Sequence, residues 1–127
     1  MRCVRVYFRR TQISKKKGIG NKIVGIRVAT ADELGPGQRK IVEVDGRRLV
    51  LFNIENNYYC IADVCSHDDG PLGDGNCEGF EIECPRHGAK FDVRDGSVLS
   101  FPAIRDIPSY PVSVVSGSVE VEITDVT

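Results

Sequence analysis

The sequence predicts an all-β domain of about nine or ten short strands, with helix content near nil. Three observations carry that expectation. Two β-rich runs, residues 39–44 and 47–53, meet at Asp45-Gly46, a dipeptide suited to a tight hairpin. A second pair with alternating side chains, 107–115 and 119–123, meets at Ser116-Gly117. Between the two pairs, residues 64–99 are rich in glycine and hold only short apolar runs.

Taken in order, residues 1–22 are basic and irregular and stand apart as a flexible tail. Arg9-Arg10 is similar to a twin-arginine signal, but Lys15-Lys16-Lys17 follows where an apolar segment would be needed. A first strand is expected over 22–29, with a turn at Thr30-Ala31-Asp32 and a break at Gly35-Pro36-Gly37. After the Asp45-Gly46 hairpin, a turn at Asn56-Asn57 leads into a strand over 58–62. Short strands are then expected at 80–83 and 90–93, with a turn at Asp95-Gly96. Phe101-Pro102-Ala103 connects back to the larger sheet, and Pro108 and Pro111 suit an edge strand. The base of the domain is thus fed by 23–62 and 104–124, with 63–103 inserted between them.

A chain of 127 residues fits one domain with a modest core, and no apolar run is long enough to cross a membrane as a helix. The formal charge of −1 hides a division. Eight of the seventeen basic residues fall in 1–22 with no acid, leaving a net of −9 over the rest. Such an acidic body argues against nucleic acid and for basic protein surfaces as partners.

The chain's two histidines both fall in a repeated pattern with cysteine: Cys65-Ser66-His67 and, after sixteen intervening residues, Cys84-Pro85-Arg86-His87-Gly88. Two thiolates and two imidazoles suit zinc, copper or an iron–sulfur centre. Zinc fingers usually group like ligands at each turn, whereas each turn here supplies one cysteine and one histidine. That order suits a 2Fe-2S rhombus in which one iron takes both thiolates and the other both imidazoles. A structural zinc module on the same four residues is the alternative. Cys3, Cys60 and Cys77 remain, an odd set with no disulfide pattern. Cys60 is expected in the core and Cys77 at an unremarkable loop position.

At these residues the chain resembles the Rieske family. Cys65-Ser66-His67, Leu72 and the run Cys84-Pro85-Arg86-His87-Gly88 stand where that family's motif has them, and the likeness extends over 23–124. Gly70, Gly73, Gly75 and Gly79 supply the permissive backbone that two ligand loops need. The resemblance implies a Rieske-type antiparallel β-sandwich or barrel base domain carrying an inserted cluster-binding subdomain, about 63–103. It also implies one 2Fe-2S cluster held by Cys65, His67, Cys84 and His87. High-potential relatives carry a second cysteine in each ligand loop, joined in a disulfide; Gly70 and Arg86 stand there in this chain. Those relatives also donate serine and tyrosine hydroxyls toward the cluster and a ligand sulfur, where this chain has Ala89 and Phe91. Fewer donors stabilise an added electron less, so a low potential is expected.

The resemblance implies a cytoplasmic, Rieske-type ferredoxin, not itself an enzyme, that carries single electrons from a flavin reductase to an oxygenase. Asp68, Asp69 and Asp74 could guide a basic partner, and Arg86 could contact one. The alternative is a redox or assembly-associated Rieske protein of iron–sulfur assembly or nitrite-reductase systems. The chain has no histidine left for the mononuclear iron site of an oxygenase.

Overall fold

The structure, a computed structural model, describes residues 11–13, 22–44, 46–66 and 70–125. Among them are twelve strands and no helix, so the all-β expectation holds and no helix is long and apolar enough to cross a membrane. The base is built from two sheets. One has five strands in the order β1 (Thr11–Ile13), β3 (Arg39–Val44), β4 (Arg47–Ile54), β5 (Asn57–Ala62) and β10 (Ser109–Tyr110). The other has three, β11 (Val112–Val115), β12 (Ser118–Asp125) and β2 (Lys22–Thr30). A third, smaller sheet runs β6 (Cys77–Glu78), β7 (Glu81–Glu83), β8 (Lys90–Asp92), β9 (Val98–Ser100).

The run Leu49-Val50-Leu51-Phe52 lacks the alternation of a half-exposed strand because β4 has no solvent face. Successive side chains of a strand point to opposite faces. Leu49 and Leu51 enter one core, with Val42, Val44 and Cys60 from the same sheet and Ile26, Val28, Val119, Val121 and Ile123 from the three-stranded sheet. Val50 and Phe52 enter the other, with Ile61 from β5 and with Cys65, Leu72, Ile82, Cys84 and Phe91. All four residues of the run are 0% exposed. The five-stranded sheet is therefore the middle layer, and the region 63–103 lies on it.

Several elements differ from the sequence reading, each for a local reason. The turn after β4 falls at Glu55-Asn56 (φ 55° and 68°), one residue earlier than expected, because a two-residue hairpin turn needs both central residues left-handed. Asn53 supports it: its Oδ1 accepts the N–H of Asn56 at 2.9 Å, and its Nδ2 donates to the Leu34 carbonyl at 2.8 Å. The run 107–115 is not one strand. Ser109 and Tyr110 pair with Ile61 and Cys60, and after Pro111 the chain leaves that sheet to pair with β12. Proline has no N–H for a ladder, so the change of sheet comes there. Strands β6 and β9 were not expected, and β1, within the stretch read as a tail, pairs parallel with β3. Cys3 and Arg9-Arg10 lie outside the described residues.

A charged pair joins the two base sheets. Lys40, 6% exposed, donates to the Val28 carbonyl at 3.0 Å and meets Glu33 Oε1 at 3.2 Å. Partial burial works against the Glu33 carboxylate, but the Thr30 N–H and Lys40 outweigh it and hold the group below its ordinary pKa.

Because β4 feeds both cores, unfolding is expected to be one cooperative transition. Phe52→Ala and Leu51→Ala, on opposite faces, should each cost about 2–5 kcal/mol. Urea melts followed by circular dichroism check this. Two separated transitions in either variant would show that the cores are independent.

Candidate metal centre

The first loop grows out of β5. Beyond Ala62, the Asp63 N–H donates to the Arg48 carbonyl at 2.8 Å, so the strand geometry continues one residue further. Asp63 is fully buried, and its Oδ1 accepts the N–H groups of Leu72 (2.8 Å) and Gly73 (2.6 Å). Inside that closure, the Cys65 N–H donates to the Gly70 carbonyl at 2.8 Å. Gly75 then passes so close to the Glu83 carbonyl that a Cβ would overlap it, which brings the end of the first loop against the base of the second.

The second loop is a hairpin tip. β7 and β8 pair below it, Glu83 opposite Lys90. The Cys84 N–H donates to the Ala89 carbonyl at 2.7 Å, and the Gly88 N–H to the Cys84 carbonyl at 3.0 Å. Both cysteines thus close their loops in the same way, onto the carbonyl five residues ahead. Gly88 takes a left-handed conformation (φ 79°), which turns the chain back after His87.

Of the four predicted ligands, Cys65 and Cys84 come together in one buried cluster, at 0% and 1% exposure. His87 is exposed, with Pro85 and Arg86 beside it. His67, with Asp68 and Asp69, lies outside the described residues. Among the described residues no group of three or more His, Cys, Asp or Glu side chains forms a metal site. The donors present fit a soft, thiolate-bound centre: two buried sulfurs among apolar side chains, and an imidazole on the solvent side. A thiolate in such surroundings is costly unless a cation accompanies it. Ala89 and Phe91, both 0% exposed, pack in this cluster and offer no hydroxyl.

The other cysteines separate by face. Cys60 belongs to the opposite core, and burial pushes its thiol far up. Cys77 is not an unremarkable loop residue: it lies on β6 opposite Ile82, is 4% exposed, and shares the core of Cys65 and Cys84. None of these four cysteines is in a disulfide.

A third segment, 101–107, lies against the first loop. The Ser66 hydroxyl donates to the Arg105 carbonyl at 2.5 Å, and Arg105 Nη2 reaches the Ser66 carbonyl at 3.5 Å. The Ile107 N–H donates to the Gly96 carbonyl at 2.9 Å, and Val98 N–H to Asp106 Oδ1 at 2.8 Å. Ala103 is buried in the cluster core, while Phe101 (81%) and Ile104 (74%) face solvent. At the far end of the small sheet, the Arg94 guanidinium holds the Asp92 carboxyl below its ordinary range and lies 4.3 Å over the Phe80 ring, which meets Tyr59 edge-on. Sequence reasoning missed Asp63 and this clasp. For Asp63 a signal was present, a lone carboxylate within Ile61-Ala62-Asp63-Val64-Cys65; the Ser66–Arg105 contact spans 39 positions and leaves none.

Comparison with known proteins points one way. The family described as Rieske [2Fe-2S] domain matches residues 25–111. The ferredoxin component of naphthalene 1,2-dioxygenase/salicylate 5-hydroxylase systems from Ralstonia sp. is 37% identical over 89 residues, 70% of this chain and 86% of that protein. Among solved structures, the ferredoxin of carbazole 1,9a-dioxygenase from Nocardioides aromaticivorans IC177 superposes with a TM-score of 0.73 at 34% identity, covering 76% of this chain and 95% of that one. A chain from a complex of reduced oxygenase and oxidized ferredoxin in carbazole 1,9a-dioxygenase matches with a TM-score of 0.72 at 31% identity, covering 76% and 91%.

Two glycines should respond differently to alanine. Gly88 has nothing within 4 Å of a new Cβ, so Gly88→Ala should cost only the left-handed backbone penalty, about 1–2 kcal/mol. Gly75→Ala must displace the Glu83 backbone, so it should cost more and separate the two loops. Thermal melts rank them, and equal losses would contradict the close approach at Gly75.

Proposed function

The chain belongs to the Rieske [2Fe-2S] domain family, and from that premise we propose that it is a ferredoxin component carrying single electrons from a flavin reductase to a terminal oxygenase. The single observation that carries this reading is the placement of the donors: both cysteines buried in one core, His87 at the surface. The relatives, ferredoxins of dioxygenase systems, support it over an assembly or nitrite-reductase role.

In this reading Cys65, His67, Cys84 and His87 hold the 2Fe-2S cluster, and 63–103 is the cluster-binding part of the domain. When bound, that cluster supplies storage of one electron. The protein's residues do the rest. Cys65 and Cys84 would hold it on the buried side, where water is excluded. His67 and His87 would complete the ligand set, and the exposed His87 marks the side on which a partner can exchange an electron. The chain acts as a carrier and not a catalyst, in the cytoplasm. The ligand loops and the segment 101–107 beside them carry both signs at the surface: Arg86, Arg105 and Asp74 are exposed. Asp68 and Asp69 add acid beside His67 in sequence and serve as the guide for a basic partner.

Ala89 and Phe91 in place of hydroxyls, with no disulfide between the loops, support a potential near the family floor of about −150 mV. Protein-film voltammetry checks this, and a midpoint above zero would refute it. The purified protein should be red-brown and give a rhombic EPR signal on reduction; a colourless protein with bound zinc would refute the cluster itself. Cys84→Ser should abolish the visible spectrum. Replacing Asp68 and Asp69 by lysine should slow turnover with the reductase and weaken its salt dependence, whereas an unchanged rate would remove them from the docking face.

A further inference from the structure

We propose that Asp63 is a positioning residue of the electron-transfer site: its buried carboxylate closes the first ligand loop and so holds Cys65 in place. The inference rests on the reading that Cys65 and His67 are ligands.

The two ligand loops differ in what supports them. The second sits on a ladder, with β7 and β8 paired on either side and Glu83 opposite Lys90 directly below Cys84. The first has a strand on one side only. β5 leads into it, but the chain that leaves it, around Leu72 and Gly73, belongs to no strand. Asp63 takes the place of the missing partner strand. One carboxylate oxygen receives the N–H groups of Leu72 and Gly73, at 2.8 and 2.6 Å, from nine and ten positions ahead. The Asp63 N–H is itself tied to the Arg48 carbonyl at 2.8 Å, so the clamp is anchored in the middle sheet. Loop entry and loop exit are therefore held by one side chain, two residues before Cys65.

The clamp asks only for an oxygen acceptor at this position, so an amide oxygen should close the loop as the carboxylate does.

The test uses the holoprotein and two substitutions, Asp63→Asn and Asp63→Ala. Two readouts are taken: iron and acid-labile sulfide per chain, and hydrogen exchange at the Leu72 and Gly73 amides. Asp63→Asn keeps an acceptor, so it should load as the wild type does and keep both amides protected. Asp63→Ala loses the acceptor, so amide protection and iron should both fall. Full iron and protection in Asp63→Ala would overturn the positioning role, and failure of Asp63→Asn to load and protect would overturn the assignment of that role to an acceptor oxygen. These outcomes are read only against wild-type protein that holds iron and sulfide. Wild type without them would instead overturn the cluster reading under which the site was assigned.

Discussion

Strands β4 and β5 bury both of their faces, and that double burial constrains everything built on them. One face closes the base with the three-stranded sheet. The other receives Cys65, Cys84, Leu72, Ile82 and Phe91. The region 63–103 looks like an insertion in sequence, yet it has no apolar floor of its own. Its floor is Val50, Phe52, Ile54 and Ile61 of the middle sheet. Steadiness of the ligand loops and stability of the base are thus one quantity, carried through side chains that alternate along the same strand.

Placing both cysteines in that shared core orders the site by polarity. Sulfur sits where water is excluded, and the histidine that the structure describes sits where a partner can approach. The direction follows from the hydrogen bonds. Each loop closes by a bond from the cysteine N–H to a carbonyl five residues on, which keeps the cysteine at the root of its loop. In the second loop the intervening Pro85, Arg86 and His87 are exposed. Segment 101–107 completes the setting from a third side through Ser66 and Arg105.

Much of this was legible in the residue order because it depends on local rules. Ligand spacing is a short-range property, and so are the hairpins at Gly46 and Ser116-Gly117, where left-handed residues mark the turn. What could not be read depends on partners distant in sequence. Strands β6 and β9 have two and three residues, too few for a periodic signal, and exist because β7 and β8 offer them edges. Cys77 looked like loop because its burial is set by Ile82 and the ligand core rather than by its neighbours. The Glu55-Asn56 turn was displaced by one residue, and Asn53, three positions before Asn56, accepts its N–H. The change of sheet at Pro111 was half legible: the proline marked an irregularity without saying which two sheets it separated.

The same closure bonds bear on how a reduced state can be favoured or disfavoured. The N–H groups of Cys65 and Cys84 are committed to Gly70 and Ala89, and those of Leu72 and Gly73 to Asp63. Four amides in and around the ligand loops therefore make structure rather than offering themselves to a bound group. Ala89 and Phe91, packed in the same cluster, supply no hydroxyl to stabilise added negative charge. The bonds that close the two loops therefore fix geometry: they tie each cysteine to its own loop and the first loop to the middle sheet.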